Sequence, residues 1–154
     1  MHTLTIQIGF AFGDRVAFHS PTQGGISGIG EILAVTVYKD GMPYYIIAIP
    51  DGEMAADILE HEISLLSASK MNEIKGKGMY PLIIKSKFTF GDRVSFFSRI
   101  QCGIAGSGDI YAITIDAEGR IDYMIQLDEN ATRNIQPGIL ENEITLITAS
   151  NWNQ

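Results

Sequence analysis

The chain repeats itself, and this internal repeat constrains its fold more than any other feature of the sequence. When the 154-residue sequence is shifted by 78 positions, residues 1–52 align with the second half at 22 identities. After an insertion of three residues in the second half, residues 58–69 align with 139–150 at 8 of 12 positions. In total, 30 of 64 aligned positions are identical, a match that predicts two copies of one structural unit.

The repeat sets the predicted domain boundaries. We expect a first domain at 1–69 and a second at 79–150, each about 70 residues long and therefore large enough for a small domain. Residues 70–78, KMNEIKGKG, are polar and basic and contain glycine, which predicts a short linker between them.

The residue pattern within each copy is typical of strands. The segments EILAVTVY and DIYAITI are rich in β-branched residues, and each leads to a glycine, Gly41 or Gly119, that indicates a hairpin turn. The return strands YYIIAI and DYMIQL follow. A polar loop, a strand over ILEHEI or ILENEI and a last short strand complete about five strands per copy. The pattern predicts an all-β chain of two small barrels.

Three repeated segments carry a resemblance to a known fold. The pairs GDRVAF and GDRVSF, GISGIGEI and GIAGSGDI, and ILEHEI and ILENEI resemble SH3-like barrels of the KOW and Tudor type. The resemblance implies two tandem SH3-like barrels that arose by internal duplication. It also implies that such barrels bind nucleic acid or protein, or hold methylated side chains in an aromatic cage.

The glycine-rich segments QGGISGIGEI and QCGIAGSGDI raise the question of a phosphate site. Neither has the lysine of a Walker loop, and a strand rather than a helix follows each of them. We therefore expect Gly28, Gly30, Gly106 and Gly108 to allow positive φ or close backbone approach where the chain enters its second strand. The alternative is an exposed backbone nest that binds an anion.

The two GDR segments supply the charged candidates. Asp14 and Asp92 are expected to accept backbone hydrogen bonds in the turn before the strand. Arg15 and Arg93 are expected either to bridge to the glutamates of the ILExEI segments or to face an anionic ligand beside the glycine loops. The candidate ligand-binding residues are Arg15, Gln23, Gly25, Gly28, Gly30, Arg93, Gln101, Gly103, Gly106 and Gly108.

No motif predicts catalysis, a metal site or a cofactor. The three histidines have no histidine counterparts in the other copy, and Cys102 corresponds to Gly24. The paired glutamates of the ILExEI segments are expected on the exposed face of a strand that discourages edge pairing. We therefore expect a protein that is not an enzyme, with no cofactor and no bound metal.

Aromatic residues divide into recurring and single positions. Phe18 recurs as Phe96 and Tyr45 as Tyr123, and all four are expected in the core. The alternative is an aromatic cage, whose residues would come from two sets, Phe18, His19, Tyr44 and Tyr45 in the first copy and Phe96, Phe97, Tyr111 and Tyr123 in the second.

Charge and cysteine content limit the possible partners and location. The formal net charge is −7, which argues against general binding to nucleic acid or to anionic membranes. The single cysteine fits the cytoplasm, and the first ten residues show no signal peptide pattern.

The leading functional hypothesis is a non-enzymatic binding module for a protein or a small anionic ligand, with a homo-oligomer possible. The first alternative is a phage-type, anti-defence sponge for a nucleotide immune signal. The second is a KOW-like nucleic-acid-binding protein, in which Lys75, Lys77, Lys85 and Lys87 would contact the nucleic acid.

Overall fold

The computed structural model describes residues 1–69, 79–128 and 134–151, and these residues form an all-β protein. The predicted all-β class is therefore confirmed. The predicted linker at 70–78, with Lys75 and Lys77, lies outside the described residues. The strands are β1 (His2–Ile8), β2 (Arg15–Ser20), β3 (Ile26–Tyr38), β4 (Pro43–Ala48), β5 (Met54–Leu59), β6 (Ile63–Ser67), β7 (Tyr80–Ser86), β8 (Arg93–Ser98), β9 (Ile104–Asp116), β10 (Ile121–Leu127), β11 (Ile135–Leu140) and β12 (Ile144–Thr148).

Each half of the chain arranges five of its strands in the same antiparallel order. In the first half this order is β6-β2-β3-β4-β5, and in the second it is β12-β8-β9-β10-β11. Short 3₁₀ helices, Glu60–Glu62 and Glu141–Glu143, precede the last strand of each half, and another spans Pro21–Gln23.

The two halves are joined by strand pairing. β1 pairs with β7 in a two-stranded sheet, and the end of β3 pairs with β9, so that the other ten strands form one sheet. The first strand of each half therefore has its partner in the other half. The domain boundaries stay a prediction from the sequence, as does the duplication.

The expectation of closed barrels is wrong, because the sheets do not close. Within the described residues, β5 pairs only with β4, and β6 pairs only with β2. The 3₁₀ helix at Glu60–Glu62 redirects the chain between β5 and β6, so these consecutive strands do not form a hairpin. The same helix corrects the predicted strand over ILEHEI, and Glu141–Glu143 corrects the one over ILENEI.

Alternation along the strands builds one hydrophobic cluster from both halves. Val35, Val37 and Ile113 point into it from β3 and β9 and are almost fully buried. Phe18 and Phe96 are each 4% exposed, and Tyr45 and Tyr123 are fully buried, which confirms their predicted place in the core.

Asp14 and Asp92 stabilise the turns before β2 and β8 by accepting backbone hydrogen bonds. The Asp14 carboxylate accepts hydrogen bonds from the Ala11 and Ser69 amides at 2.8 and 2.7 Å. Asp92 accepts from the Thr89 and Ser150 amides at 2.9 and 2.8 Å. The predicted role of both aspartates is confirmed, and each also ties the end of its half to its beginning.

The glutamates of the two 3₁₀ helices are not on an exposed strand face, as the alternation had suggested. Glu60 accepts hydrogen bonds from the Tyr45 hydroxyl at 2.6 Å and the Gly9 amide at 2.7 Å. In the second half, Glu141 accepts from the Tyr123 hydroxyl at 2.6 Å. Each of these glutamates therefore satisfies the polar end of a buried tyrosine.

Among the described residues there is no helix whose length and apolar character would let it cross a membrane.

Candidate functional site

A cleft lined by tyrosines lies where the two halves meet. Tyr38 ends β3, Tyr44 lies on β4, and Tyr111 comes from β9 in the other half. The Tyr38 ring packs edge-on against Tyr44 and Tyr111, with centroid distances of 4.8 and 5.5 Å. The cleft encloses about 580 Å³, a size that accommodates a small ligand or a side chain. We call it the tyrosine cleft; its lining is completed by Gln23, Asp40, Asp57, Gln126 and Ile135.

Local strand structure explains why these rings converge. Residues alternate along β3, so Val35 and Val37 point into the core while Tyr38 points to the opposite face. Tyr111 lies at a register shift between β9 and β10, and its ring packs against Tyr38 across the pairing of β3 with β9. The tyrosine cleft therefore depends on the pairing of β3 with β9.

Asp57 occupies the tyrosine cleft at a conformational cost. Its φ is 57°, in the left-handed region, where a residue other than glycine costs on the order of 1 kcal/mol. Its carboxylate accepts a hydrogen bond from the Tyr38 hydroxyl at 2.7 Å. The corresponding residue of the second half is Gly138, which adopts the same region with φ of 71° and no Cβ penalty. An aspartate at a position suited to glycine points to a role for its carboxylate.

The electrostatics of the tyrosine cleft favour a positively charged ligand. Asp40 and Asp57 lie in its lining, which includes no lysine or arginine among the described residues. Burial, and then the hydrogen bond to Asp57, raise the pKa of Tyr38 well above its ordinary value. Partial burial, and then the charge of Asp40, raise the pKa of Tyr44. Tyr38 and Tyr44 thus keep their hydroxyl protons at physiological pH, and their rings line the cleft together with two carboxylates.

Sequence reasoning missed this site because it looked for residues that recur in both halves. Tyr44 and Tyr111 were noted as single aromatics, while Tyr38 and Asp57 were not singled out. The tyrosines of the cleft and Asp57 stand at positions where the halves differ. Tyr38 corresponds to Asp116, Tyr44 to Asp122, Tyr111 to Leu33 and Asp57 to Gly138. A site at the joint between two similar halves needs each residue only once, so the differences were the signal.

The glycine loops serve local structure. The Gly25 and Gly103 amides donate to the carbonyls of Ser20 and Ser98, each at 2.9 Å. Gly28 and Gly106 lie within β3 and β9, and a Cβ on either would come within 3.3 Å of a phenylalanine ring, Phe18 or Phe96.

Gly30 and Gly108 are required by close backbone approach. A Cβ at Gly30 would overlap with the Ala48 carbonyl, and one at Gly108 with the Gln126 carbonyl. This contact confirms the predicted close approach, whereas the positive φ values of the loops belong to Gly24, Gly25, Cys102 and Gly103.

The two predicted arginines differ in their surroundings. The Arg93 guanidinium donates from Nη1 to Asp128 Oδ1 at 2.7 Å, and its second nitrogen also contacts that carboxylate. The hydrogen bond between them raises the pKa of Arg93 and lowers that of Asp128. The expected bridges to Glu60, Glu62, Glu141 and Glu143 are therefore wrong for Arg93, and within the described residues Arg15 makes no ion pair with them either.

The remaining candidates separate in space. Arg15 and Gly30 line one pocket of about 300 Å³, whereas Gln23 lines the tyrosine cleft. Gln101 Nε2 donates to the carbonyls of Pro137 and Gly138, each at 2.9 Å, and so holds the β11 segment. The ten candidates do not form a single site.

In the part of the chain that the structure describes, no three His, Cys, Asp or Glu side chains are grouped so that they could hold a metal ion. No family model, curated protein or solved structure matches this chain.

Proposed function

We propose that the chain is a non-enzymatic binding protein whose tyrosine cleft takes a cationic group, such as an ammonium displayed by a partner protein. The observation that carries the proposal is the grouping of three tyrosine rings with Asp40 and Asp57 in a cleft of about 580 Å³. Aromatic faces attract ammonium ions, and desolvated examples contribute about 2 kcal/mol.

The test compares a cation with an uncharged molecule of the same shape. Choline and 3,3-dimethylbutan-1-ol differ in replacing the quaternary nitrogen by carbon, so their affinities separate charge from shape. We expect choline to perturb the NMR signals of Tyr38, Tyr44 and Tyr111, with an affinity roughly tenfold higher than that of the alcohol. Equal affinities for the two compounds would contradict the proposal.

A pair of variants assigns the binding to the tyrosine cleft. Tyr44→Ala removes one ring from a partly exposed position and should weaken choline binding roughly fivefold or more. Phe97→Ala is the matched control, since Phe97 is 52% exposed and lies outside the cleft lining. Equal losses in both variants would indicate a nonspecific effect.

Two other functions remain proposals with less support. A sponge for a nucleotide signal, or another small-anion site, predicts two equivalent arginines, but the Arg93 guanidinium already contacts Asp128. Nucleic-acid binding of the KOW type relies on lysines, of which Lys85 and Lys87 are exposed, against a formal net charge of −7. Binding of RNA or DNA that is lost on raising the salt concentration would favour this second function.

A cytoplasmic location belongs to the proposal as well, because the only cysteine, Cys102, is exposed and free. A homo-oligomer also stays a proposal, which the molecular mass in solution would test.

A further inference from the structure

In the second half, Arg93 is bound by a carboxylate of the same chain. Asp128 contacts both terminal nitrogens of the Arg93 guanidinium, and its Oδ2 also accepts a hydrogen bond from the Ser107 hydroxyl at 2.9 Å. Asp109, directly opposite Arg93 in the strand register, lies 3.5 Å from Nη1. The guanidinium thus accommodates two carboxylates, one from the neighbouring strand and one from the residue that follows β10.

The first half presents the same arginine without the second carboxylate. Arg15 lies opposite Glu31 in the same register, but Pro50 stands at the position of Asp128. Within the described ranges, no ion pair or side-chain hydrogen bond involves Arg15, which is exposed. The Arg15 guanidinium can therefore bind a carboxylate through two parallel hydrogen bonds.

The space beside Arg15 suits a ligand with an apolar portion. The pocket of about 300 Å³ is lined by Arg15, Glu31 and Gly30 together with Ile29, Ala48, Ile49 and Pro50. Ile29 replaces Ser107, so the hydroxyl that holds Asp128 in the second half gives way to an aliphatic side chain that is 44% exposed. Glu31 does not exclude an anion, because its counterpart Asp109 coexists with Asp128 around Arg93.

We propose that this Arg15 pocket binds an aliphatic carboxylate, whose carboxyl group takes the place that Asp128 occupies on Arg93 in the other half. Its apolar chain would lie against Ile29, Ile49 and Pro50. The site is separate from the tyrosine cleft and is independent of the function proposed for that cleft, since the two share no lining residue.

Hexanoate is the probe, with 1-hexanol as the uncharged control, and the readout is the NMR signal of each arginine side chain during titration. In the unmodified chain we expect hexanoate to shift the Arg15 signal and not that of Arg93, with hexanol at least roughly tenfold weaker. Absence of an Arg15 shift, or equal shifts of both arginines, would overturn the proposal.

Three variants make the test specific. Arg15→Gln should weaken hexanoate binding at least roughly tenfold. Pro50→Asp should do the same by supplying an internal carboxylate, while Pro50→Asn, which alters the turn equally but adds no charge, should retain binding. Asp128→Ala should create a second hexanoate site that is seen at Arg93. Full affinity in Pro50→Asp, or loss of affinity in both Pro50 variants, would show that the ligand does not bind Arg15 in the way that Asp128 binds Arg93.

Discussion

The hydroxyl groups of Thr36 and Thr114 lie 2.8 Å apart, buried between β3 and β9. The two residues occupy the same position in their respective halves and are direct partners in the strand register. The other contact between the halves has the same property, because Thr5 and Ile83 also correspond and are paired between β1 and β7. Both contacts are thus centred on equivalent residues, which relates the two halves locally by a two-fold rotation.

Replacement of one of these threonines alone should lower the free energy of unfolding by more than half of the loss seen when both are replaced. Thr36→Val or Thr114→Val leaves one buried hydroxyl without its partner, at a cost of about 1–3 kcal/mol. The double variant removes both hydroxyls at nearly constant shape, so its cost should be less than the sum of the two. Urea unfolding of the four proteins measures the coupling, and strictly additive losses would contradict a direct interaction.

The all-β class could be predicted because it depends on local patterns. Alternation along GDRVAF predicts Phe18 in the core, and the GDR segments identify Asp14 and Asp92 as turn acceptors. Each of these predictions uses residues close together in the chain, whose periodicity or turn chemistry is visible in the sequence.

The open sheets, and the pairing of the two first strands with each other, could not be predicted in this way. Whether β1 pairs within its own half or with β7 depends on contacts between residues about 80 positions apart, which the sequence HTLTIQI does not encode locally. The similarity of the halves indicates only the residues that recur in both of them. It directed attention to Arg15 and Arg93, whereas the tyrosine cleft unites residues without counterparts, such as Tyr38 and Asp57.

Gly30 should tolerate no side chain. The added methyl group of Gly30→Ala would overlap with the Ala48 carbonyl, a backbone atom that can move only with the β3–β4 pairing. We expect a loss of roughly 2–4 kcal/mol in the free energy of unfolding. Gly28→Ala is the control, since its Cβ would come 3.3 Å from the Phe18 ring, which can shift slightly. Equal losses measured in urea for the two variants would refute the backbone explanation.

The charge of Asp57 should matter for ligand binding and little for folding. Asp57→Asn keeps an acceptor for the Tyr38 hydroxyl and a residue type that tolerates positive φ, so the free energy of unfolding should change by less than about 0.5 kcal/mol. Loss of the carboxylate should weaken choline binding roughly fivefold. Calorimetric titration measures the affinity and thermal unfolding the stability.

Glu118→Gln provides the matched control for Asp57→Asn. Glu118 corresponds to Asp40 in the second half and lies outside the tyrosine cleft, so the variant changes the net charge equally without touching the site. Choline affinity should be unchanged in it. An equal loss in both variants would mean that the overall charge, and not Asp57, attracts the cation.

Asp122 should make the stability of the protein fall as pH rises from about 4 to about 6. Burial, and then the charge of Asp116, raise the pKa of Asp122 from 3.8 to about 6. Between these two values the folded protein holds a proton that the unfolded chain has lost, so raising the pH favours unfolding, and above about 6 the full cost remains. Asp122→Asn removes this cost and should stabilise the protein by on the order of 1 kcal/mol at pH 7. This is less than the full pKa shift implies, because the carboxyl is partly exposed.

The stability advantage of Asp122→Asn should disappear near pH 4, where the native carboxyl is neutral. Urea unfolding of both proteins at pH 4, 5, 6 and 7 measures it, and a constant difference across this range would show that ionisation of Asp122 is not the cause.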